Sequence, residues 1–559
     1  MFDPNLIADD RVRAVYNHGQ AQREKRIDAR RKYPLIQLYD GDWNFQARID
    51  PWVVEADFKW KLNDTGTCTV KIPTRGSKSI EQVASWLLNP WGRPRAKTVH
   101  LRCDKDGGRW TGKIASVRLT KEEDGSRSIV LEGLDDYEEL KRIYCWPNPF
   151  LPASVQFPKA FMLIGRSDWI LKVALLCNLI RLQGSLWRLP DDPLEWESWT
   201  DLAPHNWSIV VKPTDHLRNI TPINLISSRM QTWHDMAAPV LADSQLMVKT
   251  RRWFTGDEQP WRGYTPRNGQ LVVDIVDKSG WWDEYGTSII GNRWNGVIRQ
   301  VQALLGNNID TESTIIDEPI TVPEYQQPNW LGTRPNCPYV TYRDEDITGV
   351  ESIDFTWQPA TTVNVLTGGS SMPGTNELIS ASVQAAGNLV GSFLAVPTAG
   401  TIADTLLEPL YSDTLLAWMS VKSHNRANEL GWSRYQEYFA EGANAALTLS
   451  SLVAIRKAFW DTRERFTHQL KLADGAPWFI GDEGQGHFWL GDRVATTVRE
   501  LPDGKMVVEQ VTELRLNLAR GTFGWEATMG DYAATESSMD MVLRNINKVT
   551  GAIHDQGVW

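Results

Sequence analysis

Apolar and polar residues alternate with a period of two in several stretches near both ends of this chain. TCTVKIP and RSIVLEGL lie early in the sequence, and KMVVEQVTELRLNLA and GTFGWEATMG lie late in it. Because successive side chains of a β-strand point to opposite faces of a sheet, this alternation is typical of strands with one buried face. The sequence therefore predicts a strand-rich unit near each end of the chain.

Turn-forming residues separate the early strands, at positions 63–66, 104–108 and 124–125. Consecutive strands joined by such short turns predict a β-meander or a small barrel. We expect a short helix over residues 135–144 to close this unit. Between the two strand-rich units, we expect helices at 167–182 and 232–241 and strands at 245–253 and 271–277.

The order of these patterns predicts an α+β, multidomain protein, because 559 residues are too many for one hydrophobic core. A Pro- and Trp-rich middle and a helical insert separate the strand-rich units. The expected parts are a charged helical arm at 1–32, a first strand-rich domain at 33–146, a mixed α/β middle domain at 147–365, a helical insert at 366–466, a second strand-rich domain at 467–535 and a helical tail at 536–559.

The N-terminal arm has a distinctive charge pattern over residues 5–32. Leu6, Ile7, Val12 and Val15 lie on one side of the expected helix, and basic residues crowd its second half. Cations near a helix C-terminus interact favourably with the helix dipole. Two interpretations remain open, a solvated helix and an arm that lies on a neighbouring subunit.

Tryptophan content and net charge restrict the function. The 27 tryptophans favour large interfaces between subunits, or the binding of flat ligands such as sugars, because each ring buries a large area at low entropy cost. We favour subunit interfaces. A net charge of −10 argues against a specific nucleic-acid binder, which needs basic patches to neutralise phosphates. It is compatible with a surface past which DNA slides.

The five cysteines are scattered and never in CxxC spacing, so we expect buried free thiols made in a reducing cytoplasm. The first 20 residues lack the basic and apolar regions of a signal peptide. The longest apolar run, at 169–180, is too short to span a bilayer. We therefore expect a soluble protein that is not secreted by the general route.

Catalytic and metal-binding patterns are weak in this sequence. None of the nine histidines stands in HxxxH or HxH spacing. Asp482, Glu483 and His487 could form a metal loop, but a turn beside a strand is the favoured interpretation. Acidic residues at 191, 192 and 195 lie near tryptophans at 187, 196 and 199 and could line a sugar groove, although packed loop aromatics are favoured. We predict no catalytic, cofactor-binding or metal-binding residue.

A family resemblance runs in order along nearly the whole chain. It is carried by MFDPNLIADDRVRAVY, LYDGDWNFQARI, LNDTGTCTVKIP, DDYEELKRIYCWPNPFLPASVQFPK, LPDDPLEWESW, LADSQLMVKTRRWF, LVVDIVDKSGWW, TGGSSMPGTNELISA and GHFWLGDRVATTV. These segments resemble minor tail proteins of phages that infect mycobacteria and related actinobacteria. That family belongs to the tail-hub class, also called tail-associated or baseplate-hub proteins.

The resemblance implies a homo-oligomeric ring, usually trimeric, below the distal tail protein at the tail tip of a virion made in the host cytoplasm. It implies two small β-barrels per chain, here at 33–146 and 467–535. Expected partners are the distal tail protein, the tape measure protein and other minor tail or receptor-binding proteins. The ring would close the tail tube and open for DNA delivery. Two alternatives are a tail-borne cell-wall hydrolase and a glycan- or receptor-binding tail module.

A candidate gate lies in the helical insert, where residues 387–402 carry no charge. Glycines at 387, 391 and 400 permit close approach, and Pro397 would end a helix there. Gly387, Gly391, Leu394, Pro397 and Gly400 are therefore the predicted gate residues, lying across the channel or packed against their copies on the ring axis. An ordinary buried helix and loop within one subunit is the alternative.

Overall fold

The structure is a computed structural model, and it describes part of the chain. The described residues are 8–93, 95–123, 125–157, 160–184, 203–215, 219, 221, 223–279, 314–317, 326–329, 332–335, 338, 340–344, 350–368, 418–440, 455, 458–459, 462–472, 478–500, 504–519 and 522–530. The chain divides into two compact units. Unit 1 comprises Met1–Gly296, Ser313–Thr356 and Phe466–Trp559, and unit 2 comprises Val297–Glu312 and Trp357–Arg465.

Strands dominate over helices in the described part of the chain. The α-helices are α1 (Ala8–Arg31), α2 (Lys78–Leu88), α3 (Glu138–Lys141), α4 (Ser167–Leu179), α5 (Trp233–Asp243) and α6 (His424–Glu429), and a π-helical turn follows α4 at Ile180–Gly184. Short 3-10 helices lie at Asp50–Trp52, Pro90–Gly92 and Pro204–Asn206. The helices predicted at 5–32, 167–182 and 232–241 are confirmed as α1, α4 and α5.

The strands of the described residues are β1 (Leu35–Tyr39), β2 (Phe45–Arg48), β3 (Glu55–Lys61), β4 (Thr67–Pro73), β5 (His100–Lys105), β6 (Gly108–Lys121), β7 (Arg127–Asp135), β8 (Tyr144–Cys145), β9 (Phe161–Arg166), β10 (Ile209–Val211), β11 (Ile223–Ser228), β12 (Gln231–Thr232), β13 (Leu246–Arg252), β14 (Leu271–Asp277), β15 (Thr314–Asp317), β16 (Gln326–Asn329), β17 (Gly332–Pro335), β18 (Thr341–Tyr342), β19 (Val350–Gln358), β20 (Thr362–Gly368), β21 (Trp418–Lys422), β22 (Tyr435–Ala440), β23 (Arg465–Leu472), β24 (Arg493–Thr496), β25 (Lys505–Ala519) and β26 (Thr522–Gly530). The strands predicted at 245–253 and 271–277 are confirmed as β13 and β14.

The two ends of the chain meet in a single sheet of unit 1. Eleven of its 14 strands follow the order β19-β23-β26-β25-β3-β4-β7-β6-β5-β1-β2. Of the other three, β15 and β24 pair with β25, and β18 pairs with β24. The junction is the antiparallel pair β25–β3, in which Leu516 lies opposite Phe58. The predicted meander β5–β6–β7 is confirmed. No closed barrel is found in the described part of the chain, so the two predicted barrels are not confirmed.

The core of the large sheet draws on both ends of the sequence. Residues alternate between buried and more exposed along β4, as its period-two pattern predicts. Phe58 and Trp110 from the N-terminal strands pack in one cluster with Leu516 and Trp525 from the C-terminal strands. Because the two sets of side chains share this core, neither set of strands buries its apolar face alone.

The middle of unit 1 forms a second core, around α4 and α5. Here β10, β14 and β13 make a small mixed sheet, in which β10 runs parallel and β13 antiparallel to β14. Trp233 is fully buried at the start of α5, and its Nε1 donates a hydrogen bond to the carbonyl of Leu171 in α4 at 3.1 Å. This bond ties the two helices together and satisfies the one polar atom of the ring.

Unit 2 contains a three-stranded sheet in the order β21-β20-β22, with α6 between β21 and β22 in sequence. Val363 and Val365 of β20 are buried beneath it. The predicted helical insert at 366–466 therefore contains strands, and a helical character is wrong for β21 and β22. The sequence of β22, YQEYFA, shows no alternation of apolar and polar residues, and five of its six residues are exposed. The uncharged stretch at 387–402, which carries the predicted gate residues, lies outside the described residues.

Within the described ranges, no helix is both long enough and apolar enough to cross a membrane.

Candidate interaction sites

The loop that carries Asp482, Glu483 and His487 is joined to β13 by ion pairs. Lys249 of β13 lies 2.9 Å from Asp482 Oδ2 and 2.6 Å from Glu483 Oε1. The hydrogen bond from Lys249 lowers the pKa of the Glu483 carboxyl. His487 Nδ1 instead accepts a hydrogen bond from the backbone N–H of Phe479 at 2.9 Å. The carboxylates and the imidazole thus serve different partners, and no cluster of three or more metal-ligating side chains occurs among the described residues.

The same loop sits directly on the β5–β6 turn. The backbone N–H of Asp482 donates to the carbonyl of Asp106 at 3.0 Å. Gly107 has a φ of +77°, and a Cβ built there would lie 2.1 Å from the carbonyl oxygen of Asp482. Only glycine permits both this backbone conformation and this close approach. The favoured interpretation of a turn packed beside a strand therefore agrees with the geometry.

A buried ionic network joins the first strands of unit 1 to its middle region, and sequence reasoning missed it. Arg252 at the end of β13 lies 2.8 Å from Asp136, and both side chains are nearly fully buried. Burial raises the pKa of the Asp136 carboxyl, and the Arg252 cation offsets part of that effect. Arg109 of β6 binds Asp104 at 2.9 Å and Asp257 at 2.5 Å. These contacts join the two regions through complementary charges, of which the Arg252–Asp136 pair is buried and Asp104 and Asp257 are partly exposed.

The cysteines in the described ranges behave as core residues. Cys68, Cys103 and Cys145 are buried, Cys177 is half-buried, and all four are free thiols. Burial raises the pKa of the Cys145 thiol to about 12, so the nucleophilic thiolate is not formed at neutral pH. For these four residues the prediction of free thiols is confirmed, and that of buried ones holds for three. Cys337 lies outside the described residues.

Two other sets of predicted site residues lie outside the described residues. They are the gate residues Gly387, Gly391, Leu394, Pro397 and Gly400, and the acidic and tryptophan residues of the possible sugar groove at 187–199.

The C-terminal turn of α1 is anchored on the large sheet. Lys105 Nζ of β5 donates to the carbonyl of Arg30 at 2.7 Å, and so satisfies a carbonyl that the helix end leaves without an intrahelical partner. The guanidinium of Arg30 lies 4.6 Å from the centroid of the Phe479 ring. Asp106 holds Lys105 at 3.0 Å and accepts a hydrogen bond from Trp525 Nε1 at 2.9 Å. Side chains from both ends of the chain therefore fix the base of the helix.

The N-terminal half of α1 is exposed. Val12 is 68% exposed, Val15 53% and Tyr16 64%, although all three are apolar or aromatic. These residues follow i, i+3, i+4 spacing, so they form one stripe along the helix. The sequence placed Val12 and Val15 on one side of a helix but could not show that the chain leaves them uncovered.

A second exposed aromatic feature lies in unit 2, in the turn after α6. Trp432 is 90% exposed and Tyr435 is 76% exposed. The buried Arg426 anchors α6 through hydrogen bonds to the carbonyls of Phe459 at 2.7 Å and Thr362 at 3.3 Å. Arg434 joins the turn to α6, because its Nη1 donates a hydrogen bond to the carbonyl of Ala427 at 2.6 Å. The turn therefore presents two aromatic rings to solvent on a fixed frame, and no sequence motif predicted it.

Comparisons with known proteins identify the family. The family model described as "Siphovirus ReqiPepy6 Gp37-like protein" matches residues 35–531. Minor tail protein Gp28 of Mycobacterium phage L5 is 33% identical, over 96% of this chain and 97% of the relative. Minor tail protein Gp28 of Mycobacterium phage D29 is 32% identical over the same shares. The chain belongs to the siphovirus Gp37-like family.

This Gp37-like chain is thus a siphovirus minor tail protein, and the resemblance noted in the sequence is confirmed at that level. Its place is in the virion tail. Among solved structures, a tail protein from Neisseria meningitidis MC58 has a TM-score of 0.40 at 12% identity, covering 90% of this chain and 98% of that protein. The 43 kDa tail protein of prophage MuSo2 from Shewanella oneidensis has a TM-score of 0.41 at 9% identity, with coverages of 89% and 97%.

Proposed function

We propose that this Gp37-like protein is the central hub of the tail tip, where copies form a closed ring below the distal tail protein. The observation that carries the proposal is α1, a 24-residue helix anchored at one end and exposed along an apolar stripe. A cyclic ring lets each copy cover the exposed surface of the next. A trimer is the proposed ring order.

The proposed hub closes the tail tube and opens to deliver DNA. Its partners are the distal tail protein above it, the tape measure protein, and other minor tail or receptor-binding proteins around it. The net charge of −10 supports a channel wall that does not hold DNA by its phosphates. Gly387, Gly391, Leu394, Pro397 and Gly400 remain the proposed gate residues.

A cryo-EM reconstruction of intact tails tests the ring directly. We expect three copies of the chain around the tail axis, directly below the distal tail protein. A single copy per tail, or a ring whose order is not a multiple of three, would contradict the proposal. The gate is tested separately by Leu394→Asp, which should yield assembled virions that lose DNA early. If the variant subunit fails to fold, the buried-core alternative is correct.

The proposed role is structural and not enzymatic. The loop of Asp482, Glu483 and His487 supports this, since its charged groups are engaged in ion pairs and backbone hydrogen bonds. A gel overlaid with host cell wall tests for a hydrolase. A cleared zone at the mass of this protein would overturn the structural role in favour of the hydrolase.

A second candidate function is glycan binding by the turn of unit 2. Trp432 and Tyr435 support it, because exposed rings on a fixed frame can stack on the apolar faces of sugars. We would measure retention of the full-length protein on host cell-wall polysaccharide. Loss of retention in the Trp432→Ala, Tyr435→Ala double variant would support this function. Trp91→Ala is the matched control, because Trp91 is 81% exposed in unit 1.

A further inference from the structure

We propose that the outer face of the unit 2 sheet binds a neutral polysaccharide, by stacking aromatic rings on its sugars and hydrogen-bonding their hydroxyl groups. The residues of this face are Asn364, Ser420, Tyr435, Glu437 and Phe439, and we call them the sugar face. The inference deepens the second candidate function, glycan binding by unit 2, and rests on it. It extends the binding surface from the turn after α6 onto the sheet and names the class of ligand.

Strand register places the sugar face on one side of the sheet. Glu437 of β22 lies opposite Asn364 of β20, and Tyr435 and Phe439 lie two residues before and after Glu437. Ser420 of β21 lies two residues before the residue that faces Asn364. Directly opposed residues point to the same side of a sheet, and so do residues two apart along a strand. All five side chains therefore share one face.

This face is turned away from the core of unit 2. Val363 and Val365 of β20 are fully buried on the opposite side, whereas Asn364 between them is half-buried. On the outer side the described residues leave Tyr435 76% exposed and Phe439 46% exposed. Because the solvated face of a sheet ordinarily carries polar side chains, two exposed rings on it indicate a surface made for contact.

A hydrogen-bonded polar row crosses the three strands between the rings. Ser420 Oγ donates to Asn364 Oδ1 at 2.8 Å, and Asn364 Nδ2 donates to Glu437 Oε1 at 3.4 Å. An amide has two N–H groups and two lone pairs, and a carboxylate accepts at both oxygens, so the row retains donors and acceptors for a ligand. Since these side chains already orient one another, binding a ligand costs them little further entropy.

The order of rings and polar groups favours a sugar over a protein partner. Tyr435 and Phe439 lie about 13 Å apart along β22, at roughly 3.3 Å per residue, with Glu437 between them. A protein interface has an apolar centre and a polar rim. Here the polar row is central and the rings lie at the two ends. This order suits a polysaccharide along the strand, whose sugars stack on the rings while their hydroxyls meet the polar row.

Charge favours a neutral polymer. Glu437 and Lys422 lie on either side of Asn364 in the same row of the sheet, so one acidic and one basic group cancel. Nucleic acids and other polyanions require an excess of cations on the surface that holds them. The sugar face therefore complements uncharged sugars.

Binding to two fractions of host cell-wall polysaccharide tests the class of ligand. Anion exchange separates the neutral from the anionic polymers, and the affinity of the full-length protein for each fraction is measured. We expect binding to the neutral fraction, unchanged by added salt because no net charge is screened. Binding only to the anionic fraction, or binding that is lost in high salt, would overturn the proposal.

Matched variants test the residues of the sugar face. We expect Glu437→Ala to weaken binding of the neutral fraction by roughly three- to tenfold and Phe439→Ala by about tenfold. Gln436→Ala is the control for the first, because Gln436 is exposed on the same strand but points to the opposite side. Phe157→Ala is the control for the second, since Phe157 is 76% exposed in unit 1. Equal affinities for each variant and its control would contradict the proposal.

Footprinting of the unmodified protein decides the question if a variant fails to fold. Hydroxyl radicals label exposed rings, and the neutral fraction should protect Tyr435 and Phe439 but not Phe157. Absence of protection at Phe439 would show that the sheet does not bind the polymer.

The outcomes separate this inference from the glycan-binding function on which it rests. If the Trp432→Ala, Tyr435→Ala double variant loses retention while Glu437→Ala and Phe439→Ala keep it, the turn binds glycan and the sugar face is wrong. If the parent protein binds neither fraction, glycan binding and the sugar face fail together. The hub function is tested by the reconstruction of tails and stands or falls independently.

Discussion

The large sheet of unit 1 and the small sheet of unit 2 use similar strands for opposite purposes. In β25, apolar residues point into a core shared by both ends of the chain, and Leu514, Leu516 and Leu518 are fully buried. In β22, five of six residues are exposed, and Tyr435 begins a strand that leaves aromatic side chains at the surface. Burial of aromatic and aliphatic groups stabilises a fold, whereas their exposure on a fixed frame indicates a surface made for contact.

Charge follows the same division. Unit 1 buries Arg252 with Asp136, where each group depends on its partner for stability, and it pairs Arg109 with the partly exposed Asp257. The exposed rings of unit 2 contribute little to the core of their own unit. The comparison therefore predicts that substitutions in the first set change folding and that substitutions in the second change only binding.

The largest expected effect comes from Arg252→Met, which leaves the Asp136 carboxylate buried without its cation. Breaking a buried pair in this way costs roughly 3–5 kcal/mol of unfolding free energy. Denaturant unfolding followed by tryptophan fluorescence measures the loss. Arg515→Met is the control, since Arg515 pairs with Asp57 near the surface and should cost less than about 1 kcal/mol. Equal losses of unfolding free energy in both variants would show that the buried pair contributes no more to stability than the pair near the surface.

Acidification should weaken unit 1 through His100. Burial, followed by the nearby Arg252 cation, lowers the pKa of the His100 imidazole to about 3. An unfolded histidine takes up a proton below pH ~6.5, so stability is present above that pH and is lost as pH falls toward 3.

The predicted slope is about 1.4 kcal/mol per pH unit at most, or up to roughly 2.7 kcal/mol between pH 6.5 and 4.5. We expect His100→Phe to remove this component, so the stability difference between variant and parent should change with pH. A constant difference across that range would show that His100 is charged in the folded protein. Its ring stacks on Trp43 at 4.3 Å, and phenylalanine retains that stacking.

A smaller effect is expected from Gly107→Ala. The new Cβ would meet the carbonyl of Asp482, and the backbone would be held at positive φ, which together cost about 1–3 kcal/mol. Gly125→Ala is the control, because Gly125 also has positive φ but has no atom within 4 Å of its Cβ position. If the two variants lose equal stability, the contact with the Asp482 loop contributes nothing beyond backbone strain.

The smallest expected effect is that of Trp432→Ala on folding. Since Trp432 is almost fully exposed, its removal should change unfolding free energy by less than about 0.5 kcal/mol. Trp233→Ala is the contrasting control and should cost about 3–5 kcal/mol, because that ring fills the core between α4 and α5. A large loss in Trp432→Ala would mean that the ring packs against other residues of its own subunit.

Local structure could be predicted from this sequence where one face of an element is buried. The period-two pattern predicted the bounds of β4, the strand expected at 271–277 is β14, and the charged N-terminal segment is helical as predicted. The pattern identifies which face of a strand is buried but not which strand lies beside it. The pairing of β25 with β3 could therefore not be predicted from alternation.

The candidate sites were harder to predict for a related reason. Trp110, Trp233 and Trp432 are the same residue type in the composition, yet the first two are buried and the third is exposed. The Arg252–Asp136 pair joins residues 116 positions apart, and no local spacing marks it. Sequence patterns show what a residue can do, whereas the partner that it meets depends on tertiary structure.

The pairing of β25 with β3 also has a consequence for synthesis. Phe58 leaves the ribosome 458 residues before Leu516, which it faces in the finished sheet. At a synthesis rate of roughly 5–20 residues per second, about half a minute or longer passes before β25 is made. During that time the unpaired edge of β3 is exposed to aggregation and to chaperones. A chain that terminates early lacks the strand that completes the platform beneath α1. The late synthesis of β25 therefore means that a subunit cut off before this strand cannot complete the large sheet.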